Sequence, residues 1–278
     1  MKILILITIL HISSQSSAID KIKVNGSTTV NPVVVDAAIA LKQQGMEILV
    51  DTQGGSSGGV SYVAEGLADL GMVSRHINQQ DRKKFANAHF EEHVIGYDGV
   101  ALVISKTLFD SGVTAVSKNE IKDIYEGRIQ NWKSLGGSNL RITFFNKEPG
   151  RGTWEVFAKY IYGDTSRAKK VFHQEVGANQ EARTKVALNP GGITQLSASW
   201  AYGSAQVRPL AIKVKNHPIE PNLVNIAEGT YPMRRPLIIL SNGKVTGIKE
   251  KFINYLTSSD GQKILKKHGY LPIEDKGT

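Results

Sequence analysis

The chain has 278 residues, 41% of them hydrophobic, with no cysteine and a formal charge of +9. That length suits one large domain or two lobes of ordinary size, and the missing cysteine excludes disulfides and thiolate metal sites. Excess positive charge favours anionic partners. The tight basic clusters, DRKK at 81–84 and KK at 266–267, read as solvated helix faces, so nucleic acid is not an expected partner.

Residues 1–18 read as a secretory signal, with Met1-Lys2 as a positive start, Ile3 to Ile12 as an apolar run and cleavage after Ala18. The run is shorter than the ~20 residues of a membrane span. No cysteine stands ready to accept a lipid, so no membrane anchor is expected and the location is a bacterial periplasm. KIKVNGSTTVNPVVVDAAIALKQQG then predicts a strand, a polar turn and a helix, with Val33, Val34, Ala37, Ala38 and Leu41 at helical spacing. MEILVDTQ is a second strand, VSYVAEGLA a helix and DLGMVSR a short strand. Repeated strand–turn–helix units predict an α/β fold with a mostly parallel sheet.

GYDGVALVIS at 96–105 is an apolar strand, and Ser117 with Glu120 forms a capping box at the head of the next helix. LRITFFNKEPGRGTWEVFAKYIYG repeats the strand, glycine turn and helix, and NPGGITQLSASWAYG is turn-rich before another short strand. YPMRRPLIILSNG gives a further apolar strand, and GIKEKFINYLTSSDGQKILKKHGYLPI one or two closing helices. The two apolar strands bracket a central block. The expected division is residues 19–98 with 232–278 in one lobe and 99–231 in the other, closing about a cleft.

NGSTTVNP, GGSSGG and EPGRGT each stand where a strand ends and a helix begins. Helix N-termini carry unpaired N–H groups and partial positive charge, hydroxyls add donors, and glycine admits close approach, so three such turns in both lobes point to a shared anion site. GGSSG also fits the G-x-S-x-G pattern of a hydrolase nucleophile elbow, which leaves a secreted serine hydrolase using Ser56 or Ser57 as an alternative. No histidine stands in a setting that marks it as a base. No metal-ligand spacing and no Walker motif occur, so no catalytic residue, metal or cofactor is expected.

With GSTTVNPVV, GSSGGV, ADLGMVSR, GYDGVALVISK, IYEGRIQNWKSLGG, NPGGITQLSASWA, YPMRRPLIIL and FINYLTSSDGQKILKKHGYLPI in order, residues 22 to 273 resemble the periplasmic phosphate-binding proteins of phosphate ABC transporters. The resemblance implies a two-lobe type II periplasmic binding fold joined by two crossing strands, inorganic phosphate as ligand, an inner-membrane ABC permease as partner and a monomer. Carried over, Thr28 donates its hydroxyl and Thr29 its backbone N–H. Ser56 fills the family's serine position, and Gly152 and Thr153 match the donor pair of the third turn. The sequence departs from the family in placing Lys147 where arginine is usual and Arg151 where serine is usual, which suggests a relocated positive charge. Arg75 stands where many relatives have an aspartate that accepts the ligand's proton, and it is added to the expected ligand set. Asp69 and Asp98 read as structural turn residues. These departures keep another oxyanion, such as sulfate, molybdate or an organic phosphate, as an alternative ligand.

Overall fold

The structure is a computed structural model that describes residues 20–169, 171 and 173–273. The signal read at residues 1–18 lies outside the described residues. The chain opens with β1 (Asp20–Gly26), α1 (Asn31–Lys42), β2 (Met46–Asp51), α2 (Gly55–Ala64), β3 (Leu70–Val73), α3 (Gln79–Lys84) and the long strand β4 (Phe90–Ser105). It continues through α4 (Lys106–Asp110), β5 (Ala115–Ser117), α5 (Lys118–Tyr125), β6 (Thr143–Lys147), α6 (Gly152–Tyr162), β7 (Gln174–Val176) and α7 (Asn179–Leu188). Then come β8 (Gly192–Ser197), α8 (Ala198–Tyr202), β9 (Val207–Pro209), β10 (Ala211–Val214), β11 (His217–Ile219) and α9 (Leu223–Ala227). The chain returns on β12 (Arg234–Asn242) and closes with α10 (Gly247–Thr257), α11 (Ser259–Lys267) and β13 (Leu271–Pro272).

The main sheet runs β2-β1-β3-β12-β4-β8-β6-β7. Its two flanks, β2-β1-β3 and β8-β6-β7, are parallel, and the antiparallel pairings lie at the centre where β12 and β4 cross. β4 serves both lobes. Residues 90–99 pair with β12, and residues 100–105 pair with β8 and β9. Val100 to Ile104 are completely buried because both faces of the strand are covered, which is why the segment reads as an unbroken apolar run. At the edge, β2 leaves Leu49 exposed.

Separate apolar cores fill the two lobes. In one, Val33, Val34, Ala37 and Leu41 of α1 pack with Ile22, Met72, Ile239 and Phe252. In the other, Trp132, Phe144, Phe157 and Ile193 meet strand β4. Each such aromatic or branched side chain contributes about 1.5–3 kcal/mol on burial. The closing segment is pinned to α1, where Asp36 accepts from Lys267 and faces His268 at 2.9 Å. This two-lobe α/β architecture is the one expected.

One local expectation needs correction. The GGSSGG stretch is not a turn ahead of α2 but its first turns, because the helix begins at Gly55. Gly59 shows why: a β-carbon there would lie 2.7 Å from the Met72 carbonyl oxygen and 3.0 Å from that of Asn25. Only glycine lets α2 lie directly on β1 and β3, which brings the helix N-terminus to the mouth of the cleft.

Candidate functional site: a closed anion cradle

Four strand-to-helix corners meet between the lobes around a small pocket, with about 10 Å³ open to water. Ser27, Thr28 and Thr29 come from β1–α1, Gly55 and Ser56 from the start of α2, and Ser74 from the end of β3. The other lobe supplies Lys147, Arg151, Gly152 and Thr153 from β6–α6, with Gly177 and Asn179 from β7–α7. The N-termini of α1, α2, α6 and α7 therefore bring partial positive charge to one point.

Each corner is held from behind. Tyr270 donates its hydroxyl to the Thr29 carbonyl at 2.7 Å, and Ser27 N–H donates to the Met72 carbonyl at 2.8 Å. Ser74 N–H donates to Ser56 Oγ at 3.1 Å, fixing a serine that is 1% exposed. Gly152 is required by close approach across the cleft, since a β-carbon there would sit 2.6 Å from both Ser56 Oγ and Ser74 Oγ. The lobes are in direct contact here. Ser57 N–H donates to the Gly150 carbonyl at 3.0 Å, and Asn179 Nδ2 donates to Thr29 Oγ1 at 3.0 Å.

Thr28, Thr29, Ser56, Lys147, Arg151, Gly152 and Thr153 all line the pocket, as the sequence reading groups them. Thr29 differs in detail. Its N–H is engaged by Ser27 Oγ at 3.2 Å, and its hydroxyl, held by Asn179, is the group near the cavity. Arg151 caps α6 and is steered by Glu148, whose Oε2 accepts from Nε at 2.9 Å and Nη2 at 2.7 Å. Lys147 is buried at the end of β6, and its ammonium group donates to the Gly177 carbonyl at 2.9 Å. Burial, followed by the nearby Arg151 and Arg235 guanidinium groups, pushes its pKa down to about 7.

Arg75 is placed elsewhere. It is not among the pocket-lining residues, and its guanidinium sits between two carboxylates. Asp81 Oδ2 lies 2.6 Å from Nη1, and Glu155 Oε1 lies 2.8 Å from Nε. Asp81 belongs to α3 and Glu155 to α6, so Arg75 ties one lobe onto the helix that presents Gly152 and Thr153. Asn78 Nδ2 reinforces the tie by donating to Glu155 Oε2 at 2.9 Å. The inter-lobe half of this pairing leaves no local mark, because Glu155 lies 80 positions from Arg75.

Arg235, at the second position of β12, is the residue that sequence reasoning missed. It is 1% exposed and paired with Asp98 of β4, with Nε and Nη2 at 3.0 and 2.7 Å from Oδ2. Nη1 donates to Thr153 Oγ1 at 2.9 Å and to Ser74 Oγ at 3.2 Å, and Nη2 donates to Thr29 Oγ1 at 3.2 Å. One guanidinium on the crossing strand thus touches hydroxyls from both lobes. Asp98, expected to be a turn residue, is its counter-ion. The elbow reading of Ser56 finds no support, since its hydroxyl partner is Ser74 and, among the described residues, no histidine bonds to it.

A two-lobe α/β receptor with an anion cradle at its hinge is the class that fold and pocket define. The chain belongs to the PBP superfamily, whose domain profile matches residues 12–260. Among curated proteins, the phosphate-binding protein PstS of Bacillus subtilis (strain 168) is 28% identical over 94% of this chain and 83% of its own length. PstS of Borreliella burgdorferi is 26% identical over 91% of this chain and 90% of its own. A Clostridium perfringens structure with bound phosphate, assigned as a phosphate ABC transporter substrate-binding protein, superposes with a TM-score of 0.81 at 28% identity, covering 92% of this chain and all of that one. An ABC-type phosphate transport receptor from Vibrio cholerae shares the fold, with a TM-score of 0.70 at 24% identity over 91% of this chain.

Proposed function

We propose that this protein captures inorganic phosphate between its two lobes and delivers it to an ABC permease in the inner membrane. One observation carries this reading: hydrogen-bond donors from both lobes line one small pocket that has no carboxylate in its wall. The PstS relatives and the phosphate-bound neighbour agree with it. Thr28, Ser56, Gly152 and Thr153 donate to the anion, joined by the Thr29 hydroxyl, while Lys147 and Arg151 supply charge. Arg235 lies behind them. Charge-assisted hydrogen bonds contribute about 1.5–3 kcal/mol each, so a handful reaches the ~8 kcal/mol of micromolar binding after association costs.

Residues 19–98 with 232–278 form one lobe and residues 99–231 the other, with the hinge where β4 and β12 cross. Phosphate favours the closed form by contacting both lobes at once, and closure gives the permease a shape that reports occupancy. The protein works as an exported, soluble monomer in the periplasm after cleavage at Ala18, and it catalyses no reaction. Among the described residues, no helix is long and apolar enough to cross a membrane. Calorimetry on phosphate-stripped protein tests the assignment. Saturable heat with phosphate and arsenate is expected, and silence at millimolar phosphate rejects it.

A further inference from the structure

A second, larger concavity lies between the lobes. This groove of about 800 Å³ runs between α3 and α6 onto the start of β12, and it shares no lining residue with the anion pocket. Lys83 comes from α3, Lys159 and Tyr160 from α6, and Arg234 from β12. Its volume is that of a small-molecule site, which spans about 300–1,000 Å³.

The charges facing the groove are unevenly satisfied. Five basic and two acidic side chains line it, and two of the basic ones are already neutralised. Arg75 lies on Asp81 and Glu155, and Arg235 lies on Asp98. Among the described residues, no carboxylate is within ion-pair distance of Lys83, Lys159 or Arg234. Asp164, the other acidic residue of the wall, accepts from the Ser166 N–H at 2.7 Å and offsets only part of the Lys159 charge. Arg234 is held in place by Tyr97, whose ring centroid lies 4.0 Å from the guanidinium carbon. Stacking occupies one face of the guanidinium and leaves its N–H edge for a phosphoryl or carboxylate group. Beside these cations stand apolar surfaces: Ile77 and Pro236 are buried in the floor, and Val156 and Tyr160 are half-buried in the wall. A bare inorganic anion would leave that apolar surface unused.

We propose that this groove is a second binding site, for an organic polyanion of nucleotide size, and that it is complete only when the lobes are closed. Lys83 and Lys159 stand on helices of different lobes, so a ligand that spans them gains both contacts in the closed form alone. Such a ligand and phosphate must then favour each other's binding, by the same factor in both directions. The coupling, though not the site, rests on the phosphate reading above.

Calorimetry with ADP as the probe, on phosphate-stripped and on phosphate-saturated protein, tests this. ADP should bind the saturated protein below about millimolar and the stripped protein at least about fivefold more weakly, and saturating ADP should tighten phosphate by that same factor. Adenosine and tripolyphosphate, each carrying half of the recognition, should bind at least about tenfold more weakly than ADP. Lys83→Gln and Arg234→Gln each remove a charge-assisted contact and should weaken ADP about tenfold or more. Without ADP, their phosphate affinity should stay within about twofold of wild type, and thermal melting should show both folded. No ADP heat at millimolar concentration overturns the proposal, as does displacement of ADP by phosphate or undiminished binding in both variants. Tripolyphosphate matching ADP overturns the organic part, and equal ADP affinity with and without phosphate overturns the coupling. Protein silent toward phosphate that still binds ADP, and loses it in the variants, would overturn the phosphate assignment and leave the groove site standing.

Discussion

Replacing Arg75 with glutamine removes the charge between Asp81 and Glu155, which face it from different lobes at 2.6 and 2.8 Å. The three side chains are 5%, 12% and 13% exposed, so water screens them poorly. In the closed form the two carboxylates are left opposed. Breaking a fully buried pair costs about 3–5 kcal/mol, and their residual exposure trims this to about 2–4 kcal/mol. In an open form the lobes separate and most of the cost disappears, so the loss falls on closure. At 1.4 kcal/mol per decade, phosphate affinity should drop roughly 30- to 1,000-fold, with little change in the melting of the unliganded protein.

The same geometry fixes the pH dependence. Burial already raises the Glu155 pKa, Arg75 opposes that rise, and Asp81 adds to it. Without Arg75 it rises further. A carboxyl whose pKa is higher in the closed state than in the open one favours closure below its open-state pKa. That contribution is lost as pH rises through the closed-state value. Arg75→Gln should therefore recover affinity as pH falls toward 5, and Arg75→Gln with Glu155→Gln should recover most of it at neutral pH. Calorimetric titration of the three proteins is the assay. If the double variant is as weak as the single one, Arg75 touches the anion directly and the inter-lobe tie is wrong.

Gly152→Val should abolish phosphate binding while leaving the melting temperature within a few degrees, because the new side chain meets Ser56 and Ser74 only on closure; thermal melts beside calorimetry check both halves. Asp98→Asn leaves Arg235 buried with a weaker partner and should destabilise the fold by a few kcal/mol, measured by urea denaturation. Ligand-free protein should lose stability as pH falls from about 10.5 toward 7, by up to about 1.4 kcal/mol per unit, because the native state resists protonating Lys147 where the unfolded chain accepts it. Lys147→Met should flatten that slope in denaturation curves taken across the range.

The parts of the fold written in local pattern were legible. Helical spacing from Val33 to Leu41, the Ser117 capping box and the apolar runs of β4 and β12 each announce an element within a few residues. α7 was not legible, because buried Asn179, Ala182 and Val186 lie among polar neighbours and leave a faint stripe. β5, β10 and β11 are three or four residues each and gain their identity by pairing with one another.

The candidate site divides the same way. Ser and Thr beside glycine at a strand end can be seen from the sequence, since capping and anion binding use the same exposed N–H groups. Arg235 and Arg75 are ordinary basic residues in sequence. Their difference comes from partners brought up by folding: Asp98 lies 137 positions from Arg235, and Glu155 lies 80 positions from Arg75.

The central claim is that one anion is held simultaneously by corners from both lobes. A crystal structure of the protein grown with phosphate tests it most directly. Phosphate oxygens within hydrogen-bonding distance of the Ser56 and Thr153 hydroxyls, with Arg75 still on Asp81 and Glu155, is the predicted result. Phosphate bound to one lobe alone, or seated on Arg75 away from Ser56 and Thr153, would contradict it.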